Sequence, residues 1–223
     1  MLPIIGLAWL YFDSRGLPNA NSLERFAPAT TTQVTDLCQR SNSVAIPYES
    51  IGDNLRAALQ AVEAREDGPG VLIGTVEGFS NLNRPRSTLS MHISRTMCYT
   101  HGRQLIRELN EIRVAVQLER HFSRRELFTI FANRTYFGEN TVGVEAASRN
   151  FFSKEPNQLQ TGEAALLAGM VKSPSRFSPT KHPDLALQRR NEVIDAMAQT
   201  RSISESDARA ARSSPLGLTI HEN

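Results

Sequence analysis

The clearest hydrophobic pattern in the chain begins at Leu55. Leu55, Ala58, Leu59 and Val62 recur at i, i+3, i+4 and i+7, and predict a core-facing helix from about Ile51 onward. Glu63 follows Leu59 by one helical turn. Over residues 103–122, Leu105, Leu109, Ile112 and Val116 make a second stripe, widened by Ala115 and Leu118, with Glu111 at its edge. Ser123 and Glu126 have the spacing of a capping box, in which each side chain bonds the other's backbone N–H, and they predict a helix through Leu127, Ile130 and Phe131. The stretch from Gly138 to Gly143 is read as its end. Residues 144–152 and 163–171 predict two more helices, the second apolar nearly all round and therefore buried, with Pro174 and Pro179 after it. Pro183 suits the first turn of a helix carrying Leu185, Val193, Ile194 and Met197, and Ser204 with Asp207 predicts the cap of a short last one. Strand-like alternation is scarce, so the predicted class is mainly α.

Residues 1–12, MLPIIGLAWLYF, are uncharged and almost wholly apolar, but a helix crossing a bilayer needs about 20 such residues. Two readings stay open: the trailing half of an anchor, or an apolar segment docked on the domain. Residues 13–43, rich in Ser, Thr, Asn and Pro, suit a linker or irregular cap. The expected organisation is an N-terminal segment and linker over residues 1–50, a helical domain over 51–200, and a C-terminal helix and tail over 201–223. With 223 residues, 40% of them apolar, the chain can build one large core, which excludes collagen-like, disordered and disulfide-scaffold classes. Lysine plus arginine number 25 against 23 acidic residues, a balance of +2 that gives no reason to expect a nucleic-acid partner. Cys38 and Cys98 stand far apart and offer no zinc spacing, and whether they pair stays open. No metal-ligating set is expected from the protein.

Two later segments are more specific than generic helix. SRRELFTIFANRTYFGENTVGVEAASRNFFSK at residues 123–154, followed by LQTGEAALLAGMVKSPSRFSP, resembles the peptidoglycan glycosyltransferases of family 51. These are the transglycosylase domains of class A penicillin-binding proteins and their monofunctional relatives. The landmarks are Glu126, Ala132-Asn133, Tyr136-Phe137-Gly138, the run from Gly143 to Ala147, and the run from Glu163 to Gly169. Upstream, RQLIRELNEIRVAVQLE resembles the family's Arg-Lys-x-x-Glu helix, with Arg107 and Glu111 matching, Arg103 on a further basic position, and Glu108 where the family has lysine. STLSMHISRTM resembles the Ser-Thr-x-Thr-x-Gln segment, matching Ser87, Thr88, Ser90 and Arg95, with His92 in place of glutamine. The family's first motif, Glu-Asp-x-x-Phe, falls by register at Glu63 with Ala64 after it, and the literal pair Glu66-Asp67 is the other candidate.

The resemblance implies a mainly α, lysozyme-like, two-lobed glycosyltransferase domain that polymerises lipid II with inversion. Such a transfer needs a carboxylate to take the proton of the attacking hydroxyl and cations to stabilise the departing diphosphate. Glu63, or Glu66, is the implied base, and Glu111 the second catalytic carboxylate, orienting the array. Ser87, Thr88, His92, Arg95, Arg103 and Arg107 are the implied substrate-binding residues, the arginines because a guanidinium fork matches phosphate oxygens and stays charged. No obligatory cofactor is implied, and a divalent cation, magnesium or manganese, is optional beside the diphosphate. The implied partners are lipid II, the growing glycan strand, the membrane surface and cell-wall synthesis proteins, at the periplasmic face of the inner membrane. Two other readings stand beside this one: a non-catalytic relative that binds a lipid-linked saccharide or a cell-wall partner, and a glycan-cleaving enzyme using Glu63 and Glu111 as two carboxylates across a cleft.

Overall fold

The computed structural model describes residues 45–66, 89–97, 111, 115, 118, 119 and 122–219, with side chains described at all of these except 64–66, 96 and 97. A 3-10 turn at Tyr48–Ile51 leads into α1, Asp53–Glu66. Then come α2, Leu89–Met97, and α3, Arg124–Arg134. A hairpin follows, β1 Tyr136–Gly138 and β2 Thr141–Val142, and after it α4, Val144–Phe152. The chain closes with α5, Thr161–Met170, α6, Pro183–Gln199, and α7, Glu205–Ser213. Glu111, Ala115, Leu118 and Glu119 are also helical. The mainly α class is borne out.

The apolar helix α5 lies at the centre, packed against α6, α1 and α7, while α2 packs on α3. One continuous apolar cluster runs through these elements, from Leu55 and Leu59 of α1 and Ile93 of α2 to Leu166 and Leu167 of α5 and Ile194 of α6. Gly52 lets α1 start close to the 3-10 turn at Pro156–Gln158: its φ is +81°, and a Cβ there would lie 2.6 Å from the Asn157 Cα.

Local chemistry sets the boundaries. Ser123 and Glu126 form the expected capping box, the Ser123 N–H donating to the Glu126 carboxylate at 2.8 Å. Ser204 accepts from the Asp207 N–H at 3.1 Å and caps α7 as expected. Helix α5 starts two residues before the expected position because the Glu163 carboxylate accepts from the Gln160 N–H at 2.9 Å, making Glu163 a third-position cap rather than the first helical residue. Helix α3 does not run on to the stretch from Gly138 to Gly143 that was expected to end it: it stops at Arg134, where the N–H of the cap residue Thr135 bonds the Phe131 carbonyl, and the glycine stretch belongs to the next element. That element is an antiparallel hairpin whose turn residues Glu139 and Asn140 have φ of 50° and 56°, the left-handed pair of a type I′ turn. Strands of three and two residues are too short to show an alternation in sequence.

Asn133 ties the segment ahead of α1 to α3. Its Oδ1 accepts from the Ile46 N–H at 2.9 Å, and its Nδ2 donates to the Ile46 carbonyl at 2.8 Å and to the Thr129 carbonyl at 3.0 Å. The side chain thus supplies both backbone groups of Ile46 with partners, as a neighbouring strand would. Asn133→Ala leaves those buried groups unsatisfied and is expected to cost about 2 to 4 kcal/mol, read as a lower urea midpoint at constant slope. Gly143, with φ of +87°, passes so close that a Cβ would meet the Asn133 carbonyl oxygen at 2.8 Å. The expectation that Gly138 and Gly143 serve positive φ is met.

Candidate active site

Helix α1 turns Leu55, Ala58, Leu59, Ala61 and Val62 into the core, and Glu63, one turn beyond Leu59, lies on the same inward side at 5% exposure. A carboxylate at a helix end is ordinarily solvated, whereas the Oε2 of Glu63 is shut off from solvent. Glu66 belongs to the last turn of α1, with its side chain outside the described residues.

The second carboxylate is also buried. Glu111, 7% exposed, precedes Ala115 and Leu118 by four and seven residues, and all three are buried. Glu111 therefore lies on the inward side shared by Ala115 and Leu118, the residues that widen the expected stripe. Leu105, Leu109, Ile112 and Val116 lie outside the described residues. The Nε of Arg95, in the last turn of α2, donates to Oε2 of Glu111 at 2.9 Å, while the Arg95 side chain stays 39% exposed. The cation thus reaches a buried carboxylate with one edge and keeps part of its surface toward solvent.

Two serines of α2, one turn apart, add further links. Ser94 Oγ donates to the main-chain carbonyl of Glu111 at 2.9 Å, and Ser90 Oγ donates to Glu119 Oε1 at 2.6 Å. Ser90 matches a family motif position, whereas Ser94 belongs to none of the matched positions. The available signal was the i, i+4 repeat of small hydroxyl residues on an otherwise apolar helix face.

His92 stands edge-on to the Phe131 ring of α3, centroids 5.1 Å apart and planes at 88°. Burial, with a smaller contribution from the Arg95 charge, pushes its pKa from 6.5 down to about 4. This imidazole is neutral at physiological pH and is a packed histidine of the α2–α3 seam. Unfolding lets it take a proton between pH 6.5 and about 4, so its contribution to stability is complete above 6.5 and falls as pH drops through that window. Replacing it in His92→Leu should flatten stability against pH there, removing a drop on the order of 3 kcal/mol in urea titrations.

Ser87, Thr88, Arg103 and Arg107 lie outside the described residues, as do Glu108, Cys38, Cys98 and residues 1–12. Among the described residues, no three His, Cys, Asp or Glu side chains gather as a metal-ligand set. No helix among them is long and apolar enough to cross a membrane.

Residues 30–198 match the family model described as Transglycosylase. Penicillin-binding protein 1F of Bacillus subtilis is 34% identical over 134 residues, covering 60% of this chain and 19% of the relative. Penicillin-binding protein 1A of Aquifex aeolicus is 27% identical over 218 residues, covering 91% of this chain and 30% of the relative. Penicillin-binding protein 1A of Rickettsia felis is 28% identical over 228 residues, covering 94% and 29%. The chain therefore spans less than a third of the length of these relatives. A crystal structure of penicillin-binding protein 1A from Haemophilus influenzae aligns at 23% identity and a TM-score of 0.40, covering 60% of this chain and 17% of that one.

Proposed function

This chain belongs to the transglycosylase family, and from that premise we propose that it is a peptidoglycan glycosyltransferase that polymerises lipid II. In this reading Glu63 takes the proton from the attacking sugar hydroxyl. The hydroxyl oxygen forms a bond to the anomeric carbon of the donor as the bond from that carbon to the diphosphate breaks, with inversion and no covalent enzyme intermediate. The polyprenyl diphosphate leaves with the electron pair, and Arg95, with Arg103 and Arg107, stabilises the charge that develops on it. Glu111 orients Arg95. Ser87, Thr88 and His92 complete the proposed substrate-binding set, His92 as a neutral wall rather than a proton carrier.

The observation that most supports the reading is the burial of Glu63, at 5% exposure, in the register of the family's base. A solvated helix-end carboxylate would have supported a non-catalytic reading instead. The transfer needs no cofactor. A magnesium or manganese ion beside the diphosphate is an optional element, for which Glu111 is the donor-side carboxylate, and no step is routed through it. The membrane surface, the glycan strand and cell-wall synthesis proteins are the proposed partners, at the periplasmic face of the inner membrane.

The second reading, a relative that binds a lipid-linked saccharide without turning it over, is favoured by one observation. Arg95 is already ion-paired with Glu111 at 2.9 Å, which leaves less of its charge for a diphosphate. Labelled lipid II in detergent, with and without a divalent ion, separates the two. Glycan polymer on a gel supports the transferase, whereas saturable binding without polymer supports the binding relative.

A further inference from the structure

Two consecutive residues of α2 hold Glu111 at two points. Arg95 grips its carboxylate and Ser94 its main-chain carbonyl, each at 2.9 Å. Ser94 is fully buried, at 0% exposure. A serine inside a helix can satisfy its hydroxyl on the carbonyl four residues back, and alanine would fill the same seam with no polar group to satisfy. Here the hydroxyl reaches across to another helix instead, and it meets Glu111, whose side chain holds Arg95. Four residues earlier Ser90 also donates across, to the side-chain carboxylate of Glu119 at 2.6 Å. As α2 advances from Ser90 to Ser94, its partner moves back from Glu119 to Glu111. The two helices therefore run antiparallel, and of the two bonds the Ser94 one, made to main chain, fixes their relative height.

We propose that Ser94 is a positioning residue that sets the height and rotation of Glu111 against α2, so that the Glu111 carboxylate fixes the orientation in which Arg95 meets a lipid-linked diphosphate. Arg95 has a long side chain whose conformation would otherwise be fixed only on binding, at an entropic cost. A pair held at backbone and carboxylate presents its exposed edge in advance. The diphosphate part of this inference rests on the function proposed above, whereas the link from Ser94 to Glu111 and Arg95 does not.

The test uses the full chain with labelled arginine and follows solvent exchange of the Arg95 Nε proton, which the Glu111 bond slows. Ser94→Ala is expected to speed that exchange about fivefold, the equivalent of one ordinary hydrogen bond, while Ser90→Ala leaves it unchanged. The KM for labelled lipid II should rise about fivefold in Ser94→Ala with kcat nearly kept, and the rise should vanish when Glu111 is already glutamine, because the two act through one contact. Should Ser94→Ala fail to fold, Ser94→Cys, of similar volume and a weaker donor, gives the same exchange readout. Unchanged exchange in a folded variant, or the same KM rise with and without Glu111, overturns the proposal and makes Ser94 a filler of the seam. Faster exchange in a protein that never turns over lipid II supports the positioning role and overturns the reaction.

Discussion

Glu63→Gln is expected to lower glycan polymerisation from lipid II by about 10²- to 10⁴-fold, the range over which positioned proton transfer contributes to a rate. Glutamine keeps the shape of the side chain and cannot accept the hydroxyl proton. Glu63 is 5% exposed, and the change is close to isosteric in that shielded site, so it opens no cavity and removes no helix cap. Stability should therefore change by no more than about half a kcal/mol while turnover is lost, the separation that marks a group retained for chemistry rather than for the fold. Binding of the donor should persist, since Arg95 and Glu111 are untouched. Polymer yield by gel and a urea midpoint on the same preparation check both halves. If Glu66→Gln abolishes polymer and Glu63→Gln does not, the base is Glu66.

The second large effect concerns the fold behind the site. Arg190 is fully buried in α6, on the same face as Ala186, Val193, Ile194 and Met197. Its guanidinium donates to the carbonyls of Arg212 at 2.9 Å, Ser214 at 2.8 Å and Pro215 at 3.2 Å, and to Asn191 Oδ1 at 3.0 Å. Burial pulls its pKa below the ordinary arginine value. One planar fork thereby satisfies the carbonyls at the end of α7 and the start of the segment beyond it. That segment continues to Thr219, whose N–H bonds the Phe151 carbonyl at 2.8 Å. Arg190→Met would leave several buried acceptors without a donor and is expected to cost about 3 to 5 kcal/mol. Arg190→Lys should recover only part, because an ammonium cannot span the same set of oxygens. Chemical unfolding of the three proteins checks this, and a loss below 1 kcal/mol, about the size of one ordinary hydrogen bond, would show that the acceptors find water instead.

Much of this fold was legible because local and tertiary preferences agree. Helix α4, Val144–Phe152, has the bounds its pattern predicts, and the Ser123 and Ser204 caps and the first-turn Pro183 stand where short-range chemistry puts them. What escaped the sequence are groups whose role is set by distant partners. Arg190 interrupts an apolar stripe and reads as solvated, since nothing in its neighbourhood announces the carbonyls more than twenty residues away that hold it. Leu185 reads as core by the same pattern, yet it is 38% exposed in the first turns of α6.

The candidate site divides in the same way. Register alone, carried by resemblance, singled out Glu63, Glu111, Arg95 and His92, but their environments were not legible. Glu111 shares a buried side with Ala115 and Leu118, which the widened stripe conveys, but the Arg95 guanidinium and Ser94 hydroxyl that meet it come from another helix and are not legible from its own. For Ser94 the spacing from Ser90 marks a shared helix face but not a role, because a small hydroxyl residue fits an apolar seam and a polar contact equally well. Its role depends on which carbonyl faces it.

The most direct measurement of the central claim is chemical balance in a lipid II reaction, counting polyprenyl diphosphate released against glycosidic bonds formed, with the anomeric configuration of the new bond read by NMR. The account predicts one diphosphate per bond, inverted configuration, and neither product above background with Glu63→Gln. Retained configuration, diphosphate released without new bonds, or full activity of Glu63→Gln would contradict it.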